Sequence, residues 1–455
     1  MTVDDTARSK NTLSDSSGRA PGSSALLTDQ YELTMLAAAL RDGTAHRPCV
    51  FEVFARRLPA GRRYGVVAGT ARVLEALQRF RFGPAELAVA ERFLDADTLA
   101  WLRDFRFTGE IDGYREGELY FPGSPILTVR ASFAEGVILE TLILSILNHD
   151  SAIASAAARM VSAAAGRPLI EMGSRRTHEQ AAVAAARAAY LAGFTTTSNM
   201  EAARTYGVPS GGTAAHAFTL LHTGPDGPDE EAAFAAQVAA QGPGTTLLVD
   251  TYDITEGVNR AVRAAGPELG GVRIDSGDLG IITRQVRTQL DELGARNTKI
   301  VVSGDLDEYA IGALRAEPID VYGVGTSVVT GSGAPTAGMV YKLVQVDGIP
   351  VAKRSSHKET VGGEKRSLRL ARSTGTIVEE VPYPAGSMPA VPAHLTATEL
   401  QIPLVRGGDT VPGLPGLEQA RTHLQRAMVT LPWEGLGLSH GEPAIATRFD
   451  AQARR

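Results

Sequence analysis

Val272-Arg273-Ile274-Asp275-Ser276-Gly277-Asp278 decides how the chain is read. A short apolar run ends in polar and acidic residues, and a helix-period segment, 280–293, follows. The same unit recurs from Pro168 onward. Leu169-Ile170-Glu171-Met172-Gly173, Gly193 to Asn199, Thr213 to Phe218 and Thr246-Leu247-Leu248-Val249-Asp250 precede it. Ile300-Val301-Val302-Ser303-Gly304-Asp305 and Ile319 to Thr326 follow it. Helical stretches at 178–191, 230–240, 254–265 and 307–315 lie between the runs. Strands alternating with helices specify βα units and a parallel sheet. Seven such units predict a compact (β/α) barrel, smaller than the roughly 250 residues usual for eight. An open doubly wound sheet is the alternative.

A barrel carries its active site at the C-terminal ends of its strands. Here those ends hold Arg175, Ser198, His216, Asp250, Arg273, Asp275, Asp278, Asp305 and Thr326. So many polar ends at one mouth exceed what core packing needs. His216 sits in Gly211-Gly212-Thr213-Ala214-Ala215-His216-Ala217-Phe218, read as glycine backbone turning into a short strand. Its small neighbours leave room for a bulky group to reach the imidazole. It reads either as a satisfied core histidine or as a catalytic one, histidine being a common general base; the polar ends around it favour the second.

The 455 residues suffice for two or three domains. With 44% hydrophobic and 21% charged residues the composition is that of a soluble globular protein. A formal net charge of -6 implies no nucleic-acid partner. Cys49 is the only cysteine, which excludes an internal disulfide and points to a reducing cytoplasm. Residues 1–24 are polar, lack a signal-type apolar segment and read as a disordered tail. The most apolar run, Val137 to Leu147, is too short for the ~20 residues of a membrane span and reads as a buried helix.

Thr28 or Asp29 is placed to cap a helix running to about Ala39, with Glu32 as capping-box partner. Val50 to Phe54 reads as a strand. Arg56, Arg57, Arg62 and Arg63 then form either a solvated basic loop or a phosphate contact. Two short strands are expected within 118–130 and a long helical region over 133–165. Beyond Ala337, Met339 to Val346 and Ile349 to Lys353 read as a hairpin across Asp347-Gly348. Lys353, Arg354, His357, Lys358, Lys365, Arg366 and Arg369 make a basic stretch, either an exposed strand edge or functional. The Pro- and Gly-rich end, 383–455, holds one expected helix near 417–429.

No Walker A loop, Gly-x-Ser-x-Gly elbow or zinc-type ligand spacing is present, and Gly323-Val-Gly325-Thr lacks the third glycine of a dinucleotide fingerprint. Following a strand, however, its amides are placed to hold a phosphate. Two arginines, several carboxylates, glycine turns and a histidine at one mouth suit an anionic, phosphorylated substrate with Mg2+.

From about Leu26 to about Leu370 the chain resembles the nicotinate phosphoribosyltransferase family. The resemblance rests on motifs in one order: Leu-Thr-Asp-Gln-Tyr-Glu-Leu-Thr-Met, Gly-Ser-Arg-Arg, Gly-Phe-Thr-Thr-Thr-Ser-Asn and Gly-Thr-Ala-Ala-His-Ala-Phe come first. Val-Asp-Thr-Tyr-Asp, Arg-Ile-Asp-Ser-Gly-Asp, Ser-Gly-Asp-Leu-Asp-Glu and Gly-Val-Gly-Thr follow. It implies an α/β protein: an incomplete (β/α) barrel over 133–338 with a second, sandwich-like α/β domain built from 25–132 and about 339–385, then a C-terminal extension, 386–455. It implies a cytoplasmic homodimer without nucleic-acid or membrane partners. It also implies a ligase-class reaction joining nicotinate to 5-phosphoribosyl 1-diphosphate in NAD salvage, with Mg2+ as cofactor and ATP as co-substrate cleaved through a phosphohistidine. His216 matches that histidine and Asp250 the acid that orients it. Asp275 matches a ribose or diphosphate contact. Tyr31, Arg175, Ser198 and Arg273 match nicotinate contacts. Arg56, Gly304, Asp305, Gly325 and Thr326 match the phosphate and ribose cradle. Two departures stand out: Met172 where relatives often place a stacking aromatic, and Val361-Gly362-Gly363 where Pro-Gly is usual. The rival readings are a nicotinamide or quinolinate phosphoribosyltransferase, or a nucleotide-binding barrel without turnover.

Overall fold

The computed structural model describes residues 22–225, 227–353 and 361–450. Most of the expected N-terminal tail, and Arg354, His357 and Lys358 of the basic stretch, lie outside the described residues.

Six of the seven expected strands form: Leu169–Glu171, Thr196–Thr197, Thr246–Leu248, Gly271–Ile274, Lys299–Val302 and Val321–Val324. They make one curled parallel sheet in which the strand at 169 lies between those at 321 and 196. The strands at 196 and 246 are the two edges, so the barrel is incomplete.

The seventh strand, Thr213 to Phe218, is not there. Ser210 makes a single parallel bridge to Thr197, the chain runs on without regular structure, and His216 opens the helix His216–Leu221. The physical reason is composition. Glycines and alanines carry no β-branched or aromatic side chains to pack on a pleated surface, and the segment's one large apolar residue, Phe218, falls in the helix.

Helices Glu179–Ala192, Glu230–Gln241, Ile254–Ala265, Leu279–Glu292 and Glu308–Ala313 follow the expected segments closely. Asp229, Asp253, Asp278 and Asp307 cap four of them by accepting first-turn amide N–H groups. Asp278, read as one of the polar strand ends, is thus a helix cap. Inside, Leu247, Val272, Ile274, Ile300, Val302 and Val324 are fully buried.

The second module is a seven-stranded sheet. Its order is Ile349–Pro350, Met339–Val346, Pro48–Ala55, Leu127–Ser132, Glu110–Tyr114, Gln401–Arg406 and Asp409–Thr410. In its middle, Val53 sits between Leu127 and Tyr341. The segment after 386 is woven into this framework: Gln401–Arg406 pairs with Glu110–Tyr114, and Leu395–Glu399 pairs with Lys365–Arg372 in a separate four-stranded sheet. The expected helix near the end spans Leu417–Thr430.

Phe133–Val137 and Glu140–Ala164 fill the predicted helical region. The longer helix joins the two cores, with Ile143 and Leu147 in one and Ile153 and Ala157 in the other. By length and composition 133–164 is apolar enough to cross a membrane, but 67% of its apolar window is buried inside the protein, as expected of a core helix. The N-terminal helix is Gln30–Asp42, with Asp29 at the cap. The expected capping box is absent. Glu32 is instead fully buried and accepts the amide N–H of Thr141 at 2.9 Å.

Candidate active site

A cavity of about 430 Å³ opens at the C-terminal ends of the parallel strands. Its walls include Arg175, Ser198, His216, Arg273, Asp275, Gly304, Asp305, Gly325 and Thr326, so most of the residues singled out from the sequence meet there. Asp250 is not part of the wall, and neither are Tyr31 and Arg56. Tyr31 lies 47% exposed on the helix Gln30–Asp42, and Arg56 is exposed after the strand Pro48–Ala55; neither lines the cavity of this single chain. A larger hollow, about 530 Å³, sits beside the helix Leu417–Thr430 and holds none of these residues.

At the open edge His216 is half-exposed. Its Nδ1 is 3.1 Å from the Thr251 hydroxyl, and its Nε2 is 4.0 Å from Asp250 Oδ1. The Asp250 side chain is buried. Its Oδ2 accepts the Asp275 amide N–H and the Ser276 hydroxyl, both at 2.8 Å, while Oδ1 has no hydrogen-bond partner among the described residues. A buried carboxylate oxygen is rarely left so, and the imidazole edge is the group it faces. That arrangement favours the tautomer with hydrogen on Nε2. Nδ1 then carries the lone pair and accepts from Thr251.

Arg273 and Asp275 stand two residues apart at the end of one strand, the spacing that places side chains on one face. Arg273 Nη2 donates to Asp275 at 3.0 Å, and its Nε donates to Ser303 Oγ at 2.9 Å. The Ser303 hydroxyl in turn donates to Asp275. Burial pushes the Asp275 carboxyl up, but the Ser303 hydroxyl and the Arg273 guanidinium outweigh it and hold the group below its ordinary value. Asp275 is therefore an anion at neutral pH, acceptor-only towards the cavity.

The turn after Lys299–Val302 depends on glycine. Gly304 has φ +108°, and a Cβ there would lie 2.4 Å from the Asp275 carbonyl oxygen. Asp305 follows in the left-handed region with φ +47°, where backbone strain concentrates at functional sites. Met172 also lines the cavity, its sulfur packed against the bare Cα of Gly323.

Several residues of this network were not singled out from the sequence. Ser276 and Ser303 lie inside two quoted motifs, and Thr251 follows Asp250, so adjacency to the chosen acids was the available signal. Glu171 is buried at a strand end, where the Thr197 hydroxyl and the Gly173 amide donate to it. Burial pushes its carboxyl up even against those bonds. An acid in a three-residue apolar strand was its only mark. Arg176 lines the cavity beside Arg175.

This architecture and cavity define an α/β-barrel protein built to receive an anionic substrate at its strand ends. Residues 26–148 match the family model for the nicotinate phosphoribosyltransferase N-terminal domain. Nicotinate phosphoribosyltransferase pncB1 of Mycobacterium tuberculosis is 67% identical over 427 residues, 93% of this chain and 94% of the relative. The crystal structure of human nicotinic acid phosphoribosyltransferase superposes with a TM-score of 0.78 at 26% identity, covering 94% of this chain and 98% of the human one. That of a nicotinate-nucleotide pyrophosphorylase from Pyrococcus furiosus does so with 0.75 at 25% identity, over 89% and 95%. The chain belongs to the nicotinate phosphoribosyltransferase family.

Proposed function

We propose that this enzyme joins nicotinate to 5-phosphoribosyl 1-diphosphate in NAD salvage, with ATP cleaved alongside through a phosphohistidine at His216. The pyridine nitrogen attacks C1 of the ribose, the C1–oxygen bond breaks, and diphosphate leaves with the electron pair. The observation that carries the reading is the meeting of Arg273, Ser198, the Asp275–Ser303 network and the His216–Asp250 pair in one cavity. Arg273 Nη1 has no partner among the described residues, and it can donate to the nicotinate carboxylate with the Ser198 hydroxyl and Arg175. Positive charge grows on the ribose as the bond breaks, and the anionic Asp275 stabilises it. The glycine turns at Gly304 and Gly325, with Asp305 and Thr326, are read as the ribose-phosphate cradle.

His216 Nδ1, with Nε2–H facing Asp250, is the nucleophile for the γ-phosphate of ATP; ADP leaves, and water later releases phosphate. No three His, Cys, Asp or Glu residues converge among the described ones. That fits Mg2+, which is held by one or two carboxylates and chiefly by substrate phosphates; Asp305 and Asp275 are the carboxylates in reach of the cavity. When bound, the ion would neutralise charge on the leaving diphosphate.

A homodimer belongs to the same proposal. Leu27, Tyr31 and Met35 are exposed at four-residue spacing, and Tyr31 would reach the neighbour's pyridine as a stacking aromatic. So does a cytoplasmic setting, because a chain with a single cysteine has no internal disulfide to keep. The deciding assay follows nicotinate mononucleotide formation with and without ATP, with nicotinamide and quinolinate as competing substrates. Turnover of quinolinate in preference to nicotinate would defeat the reading.

A further inference from the structure

Two loops, one lining the cavity and one just beyond its wall, have strained backbones. After Lys299–Val302, Gly304 and Asp305 have φ +108° and +47°. Beyond the short helix Thr326–Val329, Gly331, Ser332 and Gly333 have φ +61°, +51° and +80°. Asp305 and Ser332 are non-glycine residues, which leave that region readily unless something holds them.

Glu308 holds both. It opens the helix Glu308–Ala313, three residues after Asp305, and its side chain is 2% exposed. It accepts from Arg62 Nη1 at 2.8 Å, from Arg159 Nε at 3.1 Å and from the Ser332 hydroxyl. Arg62 Nη2 reaches past it and donates to the Gly331 carbonyl at 2.7 Å. One carboxylate thus ties the first loop to the second, and one guanidinium fork spans both. Arg159 is anchored separately on the Leu438 carbonyl at 3.2 Å. Neither Arg62 nor Glu308 lines the cavity. Arg62 comes from the segment after Pro48–Ala55, 246 residues from Glu308, so a distant part of the chain ties two of the barrel's loops together.

A buried cluster of two cations and one anion is a poor way to gain stability, because desolvation offsets the attraction. It is a good way to fix a distance, since the guanidinium fork is planar and directional. We infer that Arg62 and Glu308, with Ser332, are positioning residues for 5-phosphoribosyl 1-diphosphate: they set the separation of the Ser303–Asp305 and Gly325–Thr326 loops that cradle it. This rests on the proposed phosphoribosyl transfer. The nicotinate contacts Ser198 and Arg273 sit on other strands, and Arg273 touches the first loop at Ser303, so the clamp acts more strongly on 5-phosphoribosyl 1-diphosphate than on nicotinate.

The test measures KM for both substrates in the wild type, Arg62→Lys and Ser332→Ala, with Tm for each. Arg62→Lys keeps the ion pair but loses the fork to Gly331. Ser332→Ala removes one hydroxyl from a part-buried loop. Each is expected to raise KM for 5-phosphoribosyl 1-diphosphate by five- to fifty-fold with KM for nicotinate within two-fold. Arg62→Gln, which loses both ionic contact and fork, is expected to exceed Arg62→Lys. Wild-type turnover with unchanged KM for 5-phosphoribosyl 1-diphosphate in Arg62→Lys and Ser332→Ala, or an equal rise for both substrates, overturns the inference alone. No turnover of nicotinate by the wild type overturns the proposed reaction and this inference with it.

Discussion

Asp250→Asn isolates the charge that faces His216. Two hydrogen bonds, from the Asp275 amide and the Ser276 hydroxyl, hold Oδ2, and the asparagine oxygen would keep both. Its NH2 group must then occupy the place of Oδ1, 4.0 Å from His216 Nε2. A donor there favours the opposite tautomer, with the proton on Nδ1 and the lone pair on Nε2, facing residue 250. The charge is lost as well. Two unit charges 4 Å apart at an effective dielectric near 20 interact by about 4 kcal/mol. The imidazole is 42% exposed, so solvent screening reduces this to about 2–3 kcal/mol, a factor of roughly 30–150. Labelling of His216 by γ-labelled ATP should therefore slow by about two orders of magnitude, and ATP stimulation of nucleotide synthesis should disappear. Transfer without ATP should fall less than about ten-fold, because Asp275 and Arg273 keep their own bonds. The label is identified by its acid lability and base stability. An Asp250→Asn enzyme phosphorylated at the wild-type rate would refute the pairing of Asp250 with His216.

Arg273→Gln should lower the preference for nicotinate over nicotinamide in kcat/KM by about 10–100-fold, the worth of a hydrogen bond to a charged group; an unchanged ratio rejects Arg273 as the carboxylate contact. Gly304→Ala should cut kcat/KM at least about 100-fold, since its Cβ would strike the Asp275 carbonyl oxygen at 2.4 Å and its φ is +108°, while far-UV circular dichroism stays native; activity within two-fold contradicts the tight turn. Burial pushes the Glu52 carboxyl up to about 7 despite Lys365 at 2.8 Å. A folded-state value above the ordinary 4.5 means stability present below pH 4.5 and lost as pH rises through about 7. Glu52→Gln leaves Lys365 held by the Val361 and Gly363 carbonyls, so the Tm of the wild type should fall relative to the variant across that window; parallel curves would show that Glu52 is ionised throughout.

How far the site was legible depended on how local its causes were. Asp275, Gly304, Asp305 and Thr326 follow short apolar runs and Arg273 lies within one, and a parallel strand buried on both faces announces itself by such a run. Their convergence then follows from the rule that barrel strands end at one mouth. His216 was found for the right neighbourhood and the wrong element. The Gly-Gly-Thr-Ala-Ala stretch before it has no period of two or of 3.6, so only the single bridge of Ser210 to Thr197 determines its path. Arg62 shows the other limit. Four arginines around Pro59 and Gly61 have the composition of a solvated loop, and Arg56 and Arg57 are indeed exposed. Arg62 is buried because Glu308 and Gly331 meet it from the far end of the chain, and no local pattern carries information about a partner 246 residues away. The same holds for Gln401–Arg406, whose alternation is too short to reveal that it pairs with Glu110–Tyr114. Local physics thus places the groups read here as touching substrate on strand ends, while the contacts that set the loop spacing between them are long-range. Mutations at the first kind of position should change chemistry or selectivity, as with Asp250 and Arg273. Those at the second should change the affinity for one substrate more than for the other, which makes the split between the two KM values the measurement that separates the two kinds of residue.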